Sequence, residues 1–498
     1  MNSWIGDLLC LVAGALLTLS FSPFGIFPLA ILSPAILFAL WLNISYKKAF
    51  WRGFLFGVGF FGTGVHWIFY SIHVYSNAPL WVAILTTALF VVILALFPAF
   101  NGYFLNKIYP KNHPTKLLCA LPASWVLFEW IRSWIFSGFP WLYLGYSQMD
   151  SPLKGYAPIF SVYGVSLAVA LSSALLVFAI LSFNKRQAKN IYFALFTLAL
   201  IWVAGSLLSF VNWTKPLGEP IKTSLIQGDI PQELKWTREN LQLSLDTYKN
   251  LSEQNWSSSL IIWPEAAIPL VLQDAAQYLG TIGAEAIQHH SAIITGIPLK
   301  LPNYAYQNTV LGLGIASGLY IKERLVPFGE FIPLKHLLGN LLGFLGLPMS
   351  DMVPGARNLT PIFYKNIQFA TFICYEICFP EQVRNQDGKV GVILTVTDDA
   401  WFGRSVAQAQ HIEMARMRAY ETGRPVLFVS NNGITAFITP TGKIQSAAPP
   451  YQQAVLTDTV QPMQGHTPWL SFGMDPILML LFVLLVIAYW RMRDGKGT

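Results

Sequence analysis

Three residues of the kinds that carry out covalent catalysis follow short apolar runs in the second half of the chain. Cys374 follows the run FATFI, Glu265 lies in WPEAAIP after the run LII, and Lys322 follows LYI. A carboxylate can accept the proton of a thiol, and a lysine can stabilise a thiolate or an oxyanion. Together the three types suit nucleophilic catalysis by cysteine, whereas each one alone is more typical of a core thiol or a surface charge.

A second cysteine, Cys378, leaves other interpretations of Cys374 open. A buried core thiol is common in folded proteins, and a disulfide between the two cysteines could form in an oxidising compartment. A spacing of four puts both thiols on one face only within a helix, which the apolar run before Cys374 disfavours. No second pair of cysteines or histidines has the spacing of zinc ligands, so we predict no metal site.

Six apolar runs between residues 224 and 432 have the length and composition of buried strands, and several end in polar residues. The runs are SLIQGD (224–229), SLIIWPE (259–265), SAIITGIPL (291–299), FATFICYE (369–376), VGVILTVTDD (390–399) and RPVLFVSNN (424–432). Helical stretches such as QHIEMARMRAYETG (410–423) lie between them. This pattern predicts an α/β domain with a mostly central sheet, whose chemistry gathers at the carboxyl ends of the strands.

The remainder of the chain is too apolar for a soluble protein. Hydrophobic residues make up 54% of the sequence and charged residues only 11%, whereas charged residues are roughly a quarter of an ordinary globular domain. Apolar segments of spanning length, about 20 residues, lie at 5–20, 26–43, 53–70, 80–105, 117–136, 158–183, 190–211 and 469–490. We therefore predict an α-helical membrane bundle with seven spans in residues 1–212, a catalytic domain in 213–467, and an eighth span with a tail in 468–498.

The lysines and arginines near the predicted spans indicate the orientation. They form four clusters: Lys47, Lys48 and Arg52; Lys107, Lys111 and Lys116; Lys185, Arg186 and Lys189; and Arg491, Arg493 and Lys496. The loop SIHVYSNAP (71–79) has no basic residue. Since basic loops remain in the cytoplasm, eight spans place all four clusters and both termini there, and residues 213–467 outside. The net charge of +7 comes largely from these loops and therefore does not indicate nucleic-acid binding.

Some residues within the predicted spans suggest how the helices pack. Glu129 and Arg132 are three residues apart and could form a local pair that orients the following loop, residues 136–148. Glycines at five positions are expected to permit close helix packing. They are Gly53, Gly57, Gly59, Gly62 and Gly64.

At the three reactive residues the chain resembles a known superfamily. The order WPEAAIP, KERLVPFGEFIP and CYE is similar to the Glu-Lys-Cys triad of the nitrilase, or carbon–nitrogen hydrolase, superfamily. Over essentially its full length the chain resembles one family within it, the bacterial apolipoprotein N-acyltransferases. The motifs are IQGDIPQELKW (226–236), LVPFGEFIP (325–333), ICYEI (373–377), DDAWFG (398–403), QHIEMARMRA (410–419), GRPVLFVSNNGITA (423–436) and FEWIRSWIFSGFPWLYLGYSQ (128–148).

The resemblance implies a nitrilase-like αββα sandwich and a role for each matching residue. Glu265 would be the general base, Lys322 the stabiliser of the oxyanion or thiolate, and Cys374 the nucleophile. The further matches are two carboxylates, a tyrosine and two tryptophans associated with the substrate entrance. They are Glu330, Glu376, Tyr375, Trp236 and Trp401. Simple packing is an equally reasonable interpretation of the three aromatic residues.

The implied reaction moves an acyl chain from a membrane phospholipid, most simply phosphatidylethanolamine, through a Cys374 thioester. The acceptor would be the α-amino group of diacylglyceryl-cysteine on an apolipoprotein, in the bacterial inner membrane and without a cofactor. A membrane-anchored amidase of the nitrilase type would use water as the acceptor instead. A transporter is a further alternative from a different class, and its solute flux would survive Cys374→Ala.

Two departures and one segment complete the comparison with the family motifs. Asp229 and Asp398 stand where the family commonly has asparagine, and neither is expected to contact the triad. Cys378 is expected to be incidental packing. The segment LKHLLGNLLGFLGLPM (334–349) is too short to span a membrane, and we predict an interfacial arm that gates the site. A buried loop inside the α/β domain is the alternative.

Overall fold

The computed structural model describes five stretches of the chain: residues 3–75, 78–331, 352–356, 361–386 and 390–494. The predicted arm at 334–349 lies outside the described residues. The chain divides into two compact units. The first contains Met1–Phe69, Ala83–Asn212 and Ser471–Thr498, and the second contains Tyr70–Val82 and Trp213–Leu470.

The first unit is helical. Its longer helices are Ser3–Leu17, Leu29–Leu40, Tyr46–Gly64, Leu80–Ile108, Leu121–Arg132, Ala157–Asn184, Ala188–Leu208 and Asp475–Asp494. Short 3₁₀ or π turns lie at Thr18–Ser20, Lys116–Ala120, Ile135–Ser137, Leu144–Gln148 and Pro152–Tyr156. Each of the eight predicted apolar segments therefore contains a helix.

Fewer than eight of these helices satisfy the length and hydropathy expected of a membrane span on their own. Four do so: Leu80–Ile108, Pro152–Asn184, Ala188–Leu208 and Asp475–Asp494. A fifth arises if Tyr46–Gly64 and Ile68–Tyr75, which bend by 60° at their junction, form one span. The helices in three other predicted segments have only 15, 12 and 12 residues. The apolar helices agree with a membrane unit, and the count of eight crossings stays a prediction.

Buried polar side chains fix the loop that follows the helix Leu121–Arg132. The Arg132 guanidinium donates hydrogen bonds to the carbonyl oxygens of Phe139, at 3.1 Å, and Trp141, at 2.5 Å. The Glu129 carboxylate accepts one from the Leu144 backbone N–H at 2.9 Å. Both side chains are almost fully buried. They orient the loop as predicted, through its backbone groups.

Four of the five glycines predicted to permit close packing do so. A methyl group at Gly59 would lie 2.1 Å from the Leu11 carbonyl oxygen in the helix Ser3–Leu17. Gly53 and Gly57 approach other helices in the same way, and at Gly64 the close neighbour is a leucine side chain. Gly62 is the exception, because the nearest atom to a methyl there lies 3.9 Å away.

The second unit is built on β-strands. In chain order they are β1 (Lys215–Pro216), β2 (Ile221–Gln227), β3 (Leu260–Ile262), β4 (Ala292–Lys300), β5 (Tyr306–Gly314), β6 (Ala316–Ser317), β7 (Leu319–Ile321), β8 (Ile362–Tyr364), β9 (Ile367–Ile373), β10 (Val390–Thr397), β11 (Val426–Ser430), β12 (Thr435–Ile438), β13 (Ile444–Ala448), β14 (Ala454–Val460) and β15 (Met463–Gln464). All six apolar runs are strands, as predicted.

The strands form two main sheets rather than the single central sheet predicted from the apolar runs. One has seven strands in the order β13-β12-β11-β10-β9-β8-β6, and the other has six in the order β14-β2-β3-β4-β5-β7. At the centre of each sheet three strands run parallel, β9-β10-β11 and β2-β3-β4. Strands β1 and β15 form a separate antiparallel pair.

The two sheets share one hydrophobic core. Leu225 and Ile262 of the six-stranded sheet belong to the same buried cluster as Phe369 and Leu394 of the seven-stranded sheet. Ile226 is one residue further along β2 and points to the opposite face, because side chains alternate along a strand. That outer face packs against the helices Arg238–Glu253 and Ala276–Gln288.

The helix Ala407–Thr422 covers the outer face of the seven-stranded sheet. Its His411 ring lies 5.1 Å from the ring of Phe428 in β11, whereas Leu427 on the same strand faces the core between the sheets. The helix ends, as predicted, at Gly423, which adopts φ 62° and ψ 32°, a conformation that glycine adopts without strain. The four layers are therefore helix, sheet, sheet and helix, as the αββα prediction requires.

Shorter helices and turns complete the second unit. The helices are Gln232–Lys235, Pro380–Asn385 and Pro468–Phe472, and 3₁₀ turns lie at Cys374–Cys378 and Asp399–Phe402. Pro468–Phe472 crosses the boundary between the units, because the first unit resumes at Ser471. The π turn Ser71–Tyr75 also belongs to the second unit, although it lies between helices of the first in the sequence.

Gly59→Ala is expected to lower the stability of the first unit, because the added methyl would meet the backbone of the helix Ser3–Leu17. Overpacking of this kind costs about 1–3 kcal/mol. The measurement is thermal unfolding of the full chain in detergent. Gly62→Ala is the matched control on the same helix, and it should be neutral or slightly stabilising because alanine favours helix. Equal losses of stability in both variants would contradict the packing observed at Gly59.

Candidate active site

The nucleophile candidate stands at a sharp turn after a parallel strand. β9 ends at Ile373, and Cys374 adopts φ 55°, in the left-handed region that non-glycine residues rarely occupy. A 3₁₀ turn, Cys374–Cys378, follows at once. Cys374 is partly exposed, whereas Cys378 is buried, and both are free thiols. The disulfide alternative is therefore wrong.

The candidate base follows a strand of the other sheet. Glu265 comes three residues after β3 and is only 8% exposed. Its Oε1 accepts a hydrogen bond from Asn308 Nδ2 at 2.6 Å, and its Oε2 accepts one from the Asp398 backbone N–H at 3.0 Å. Both carboxylate oxygens are thus held, one by a side chain of β5 and the other by the backbone just after β10.

Lys322 follows β7 directly and is 1% exposed. Its ammonium lies 2.7 Å from Glu330 Oε1 and 3.7 Å from Glu265 Oε1. Glu330 also accepts a hydrogen bond from the Val326 backbone N–H through its other oxygen, at 2.8 Å. Lys322 is therefore held between the carboxylates of Glu330 and Glu265, and that of Glu330 is fixed by the backbone of its own turn.

Charge and burial shift the pKa of each triad member. Burial raises the pKa of Glu265, and the nearby Glu330 raises it further, while Lys322 opposes both. Burial alone would lower the pKa of Lys322, but the carboxylates of Glu330 and Glu265 outweigh it and raise the pKa. Burial and Glu265 raise the pKa of the Cys374 thiol well above its ordinary value, against the effect of Lys322. The raised pKa favours the protonated form of the thiol, and a base would have to accept its proton before attack.

Glu376 joins the nucleophile turn to the lysine segment. This fully buried carboxylate accepts hydrogen bonds from the backbone N–H of Ile373 at 2.8 Å and from that of Glu323, also at 2.8 Å. Ile373 precedes Cys374, and Glu323 follows Lys322. Tyr320 and Gln382 donate further hydrogen bonds to it at 3.0 Å and 2.8 Å. Glu376 therefore fixes the distance between Cys374 and Lys322.

The three aromatic candidates differ in their surroundings. Tyr375 is buried, with its ring 5.0 Å from that of Phe379. Trp236 and Trp401 remain exposed, at 54% and 40%. Trp401 lies against the π turn Ser71–Tyr75, since its ring is 5.7 Å from that of Tyr75. Tyr375 thus has a packing environment, whereas the two tryptophans present free ring surface.

A buried histidine that the sequence analysis did not identify supports the strained backbone of Cys374. His411 Nε2 lies 3.2 Å from the Cys374 carbonyl oxygen, and its Nδ1 lies 3.0 Å from Asp399 Oδ1. Burial disfavours its charge, but Asp399 raises the pKa of His411 to about 10. A protonated ring is able to donate from both nitrogens, to the Asp399 carboxylate and to the Cys374 carbonyl oxygen. The helical run QHIEMARMRA gave no sign that its histidine would face the site.

A second missed group surrounds Glu265. Lys235, Asp398 and Asn431 are all buried and connected by hydrogen bonds. The prediction that Asp398 does not contact the triad is wrong, because its backbone N–H donates to Glu265. The polar end of the run VGVILTVTDD was the available signal. The Asp229 backbone N–H donates to the Asn431 carbonyl oxygen at 2.8 Å, and burial raises the pKa of the Asp229 carboxyl.

The described part of the chain contains no cluster of three or more histidine, cysteine, aspartate or glutamate side chains able to hold a metal ion. Glu265, Lys322 and Cys374 are of the residue types that can perform acyl transfer through a covalent intermediate. The positive charge of Lys322 acts to lower the pKa of the Cys374 thiol, and a charge of this sign favours a thiolate or an oxyanion.

The chain matches known proteins along nearly all of its length. The family model of the apolipoprotein N-acyltransferase N-terminal domain matches residues 13–175, and the family model of the carbon-nitrogen hydrolases matches residues 222–466. Among solved structures, Nit3 of Saccharomyces cerevisiae, a member of branch 10 of the nitrilase superfamily, aligns at 17% identity with a TM-score of 0.37. That alignment covers 57% of this chain and 97% of Nit3.

Two relatives align over both units. A Coxiella burnetii protein named apolipoprotein N-acyltransferase is 42% identical over 97% of this chain and 100% of its own length. A Methylococcus capsulatus protein of the same name is 40% identical over 99% of this chain and 97% of its own length. Because this identity extends over essentially the whole of each protein, the chain belongs to the apolipoprotein N-acyltransferase family.

Proposed function

We propose that this protein transfers an acyl chain from a membrane phospholipid to the N-terminal amine of diacylglyceryl-cysteine on apolipoproteins. The observation that carries the proposal is the buried arrangement of Lys322, which lies 3.7 Å from Glu265 and whose positive charge acts to lower the pKa of the Cys374 thiol. The names of the relatives supply the acceptor class. The donor is proposed to be phosphatidylethanolamine.

The first half-reaction acylates the enzyme. Glu265 accepts the proton of the Cys374 thiol, and the sulfur attacks the ester carbonyl of the phospholipid. Lys322 stabilises the tetrahedral oxyanion. When the intermediate collapses, the carbon–oxygen ester bond breaks and Glu265 returns its proton to the departing lysophospholipid oxygen. A thioester on Cys374 remains.

The second half-reaction transfers the acyl group. The α-amino group of the lipoprotein attacks the thioester carbonyl, a carbon–nitrogen bond forms, and the carbon–sulfur bond breaks. Glu265 accepts the proton lost by the amine and passes it to the leaving thiolate. A ping-pong sequence of this kind lets one site serve two bulky lipid substrates in turn, and every proton passes through a group already in the site.

We further propose the membrane arrangement that this reaction requires. The protein lies in the bacterial inner membrane with eight spans and with both termini in the cytoplasm, and residues 213–467 face the periplasm. The distribution of lysine and arginine among the loops and the apolar helices of the first unit support this topology. Trp236 and Trp401, with their exposed rings, are proposed to contact the lipid substrates.

Incubation with phosphatidylethanolamine is expected to leave an acyl-sized adduct on Cys374, measured by intact-protein mass spectrometry of the full chain in detergent. The adduct should form on wild type and on Cys378→Ala, and it should be absent from Cys374→Ala. A diacylated lipopeptide should discharge it. Discharge by water alone would identify a hydrolase instead, and the absence of an adduct on folded wild type would overturn the proposal.

The rate of this acylation should rise with pH, because only ionised Glu265 can accept the thiol proton. Burial raises the pKa of Glu265, so the rise is expected above the ordinary range of a glutamate. Glu265→Gln should remove this rise and slow acylation by about 10²–10⁴-fold, the usual contribution of a general base. Glu253→Gln, at an exposed helix position, is the control. An unchanged profile in Glu265→Gln would exclude it as the base.

A further inference from the structure

A second buried ion pair lies beside the candidate base. Lys235 Nζ and Asp398 Oδ2 are 2.5 Å apart, with side chains only 1% and 4% exposed. Lys235 closes the short helix Gln232–Lys235, and Asp398 follows β10. The two residues are 163 positions apart in the chain. Each of two charges withdrawn from water needs a close partner of opposite sign.

Both members of the pair also contact Glu265 itself. The Asp398 backbone N–H donates to the Glu265 carboxylate at 3.0 Å. The Lys235 ammonium donates to the backbone carbonyl oxygen of Glu265 at 3.2 Å. Asp398 therefore holds the carboxylate of Glu265, and Lys235 holds its main chain.

Asn431 fixes the pair in place. Its side-chain N–H₂ donates to Asp398 Oδ1 at 3.3 Å and to the Ile230 carbonyl oxygen at 2.8 Å. Its side-chain oxygen accepts from the Ile230 backbone N–H at 3.2 Å. Because Asn431 directly follows β11, the group ties the carboxyl ends of β10 and β11 to the segment before Lys235.

The two charges act on Glu265 in opposite directions. Asp398 raises the pKa of Glu265 and Lys235 lowers it. The other groups that influence this carboxyl from the surrounding elements are Lys322 and Glu330, and it acts in turn on the Cys374 thiol. Within this set Lys235 and Asp398 balance each other, so the pair can hold Glu265 without adding net charge.

We propose that Lys235 and Asp398 form a charge-balanced positioning pair that holds Glu265 in line with the thiol of Cys374. Neither residue touches the reacting atoms, and each acts through Glu265. This inference rests on the proposed role of Glu265 as the base. Aspartate at 398, where the family commonly has asparagine, supplies the charge that balances Lys235 in this chain.

The test compares three variants: Asp398→Asn, Lys235→Gln, and the double variant that carries both changes. The readout is acylation of Cys374 by p-nitrophenyl acetate as a function of pH, followed by release of nitrophenolate from the purified full chain. Cys374→Ala gives the background rate. This small ester needs the base and the nucleophile but neither lipid substrate.

Asp398→Asn should move the acid limb of the pH profile to lower pH, because Glu265 loses a negative neighbour. Lys235→Gln should move it to higher pH, because Glu265 loses a positive neighbour. Each single variant should also lose about tenfold or more in plateau rate, since a small misplacement of a reacting group can cost up to about 10²-fold. The double variant should recover towards wild type in both respects.

Glu421→Gln is the matched control. Glu421 pairs with Arg418 at 2.8 Å, both side chains are fully buried, and the pair lies near the end of the helix Ala407–Thr422. This variant should lose thermal stability without moving the acid limb. Shifts of both test variants in the same direction, or profiles that match this control, would overturn the proposal.

The outcomes separate this inference from the proposed function. A nitrophenolate burst in wild type without a phospholipid adduct would overturn the acyl transfer and leave the positioning pair to be decided by the pH profiles. No burst in folded wild type would overturn the pairing of Glu265 with Cys374 and, with it, the positioning role. A normal phospholipid adduct with unmoved profiles in both single variants would overturn the positioning pair alone.

Discussion

The positive charge of Lys322, buried between two carboxylates, is the constraint on which the second unit depends. An ammonium group at 1% exposure is stable only if oppositely charged partners stay close. Glu330 lies at hydrogen-bonding distance, 2.7 Å, and Glu265 at ion-pairing distance, 3.7 Å. Removing one partner of a buried pair commonly costs about 3–5 kcal/mol. The fold therefore has to hold the segments that carry Lys322, Glu330 and Glu265 close together and in fixed positions.

The sandwich of two sheets makes this delivery possible. Glu265 and Lys322 follow strands of the six-stranded sheet, whereas Cys374 follows a strand of the seven-stranded sheet. The shared core between the sheets sets their separation, so packing of leucine and isoleucine side chains fixes the distance between the segments that carry Glu265 and Cys374. Glu376 then joins the two sheets directly, through the N–H groups beside Cys374 and Lys322.

Around this centre the site uses buried charge twice more. His411 and Asp399 support the carbonyl of Cys374, where the backbone adopts a positive φ. Lys235 and Asp398 surround Glu265. In each case a buried charged pair forms hydrogen bonds to Cys374 or Glu265. Movement of either pair would separate two buried charges, which is unfavourable. The same need for paired burial explains why so many polar residues lie at the strand ends.

Local patterns in the sequence determined the strands, the helix that ends at Gly423 and the apolar helices, because hydrophobic periodicity and glycine chemistry act over a few residues. The motifs around Glu265, Lys322 and Cys374 identified the reactive residues by resemblance. Only the tertiary structure decided that the strands form two sheets, since pairing depends on contacts between distant segments. It alone also joined Lys235 to Asp398 and His411 to Cys374. A single lysine or histidine in a sequence carries no sign of its partner, because a buried ion pair is defined by distance in space and not by spacing along the chain.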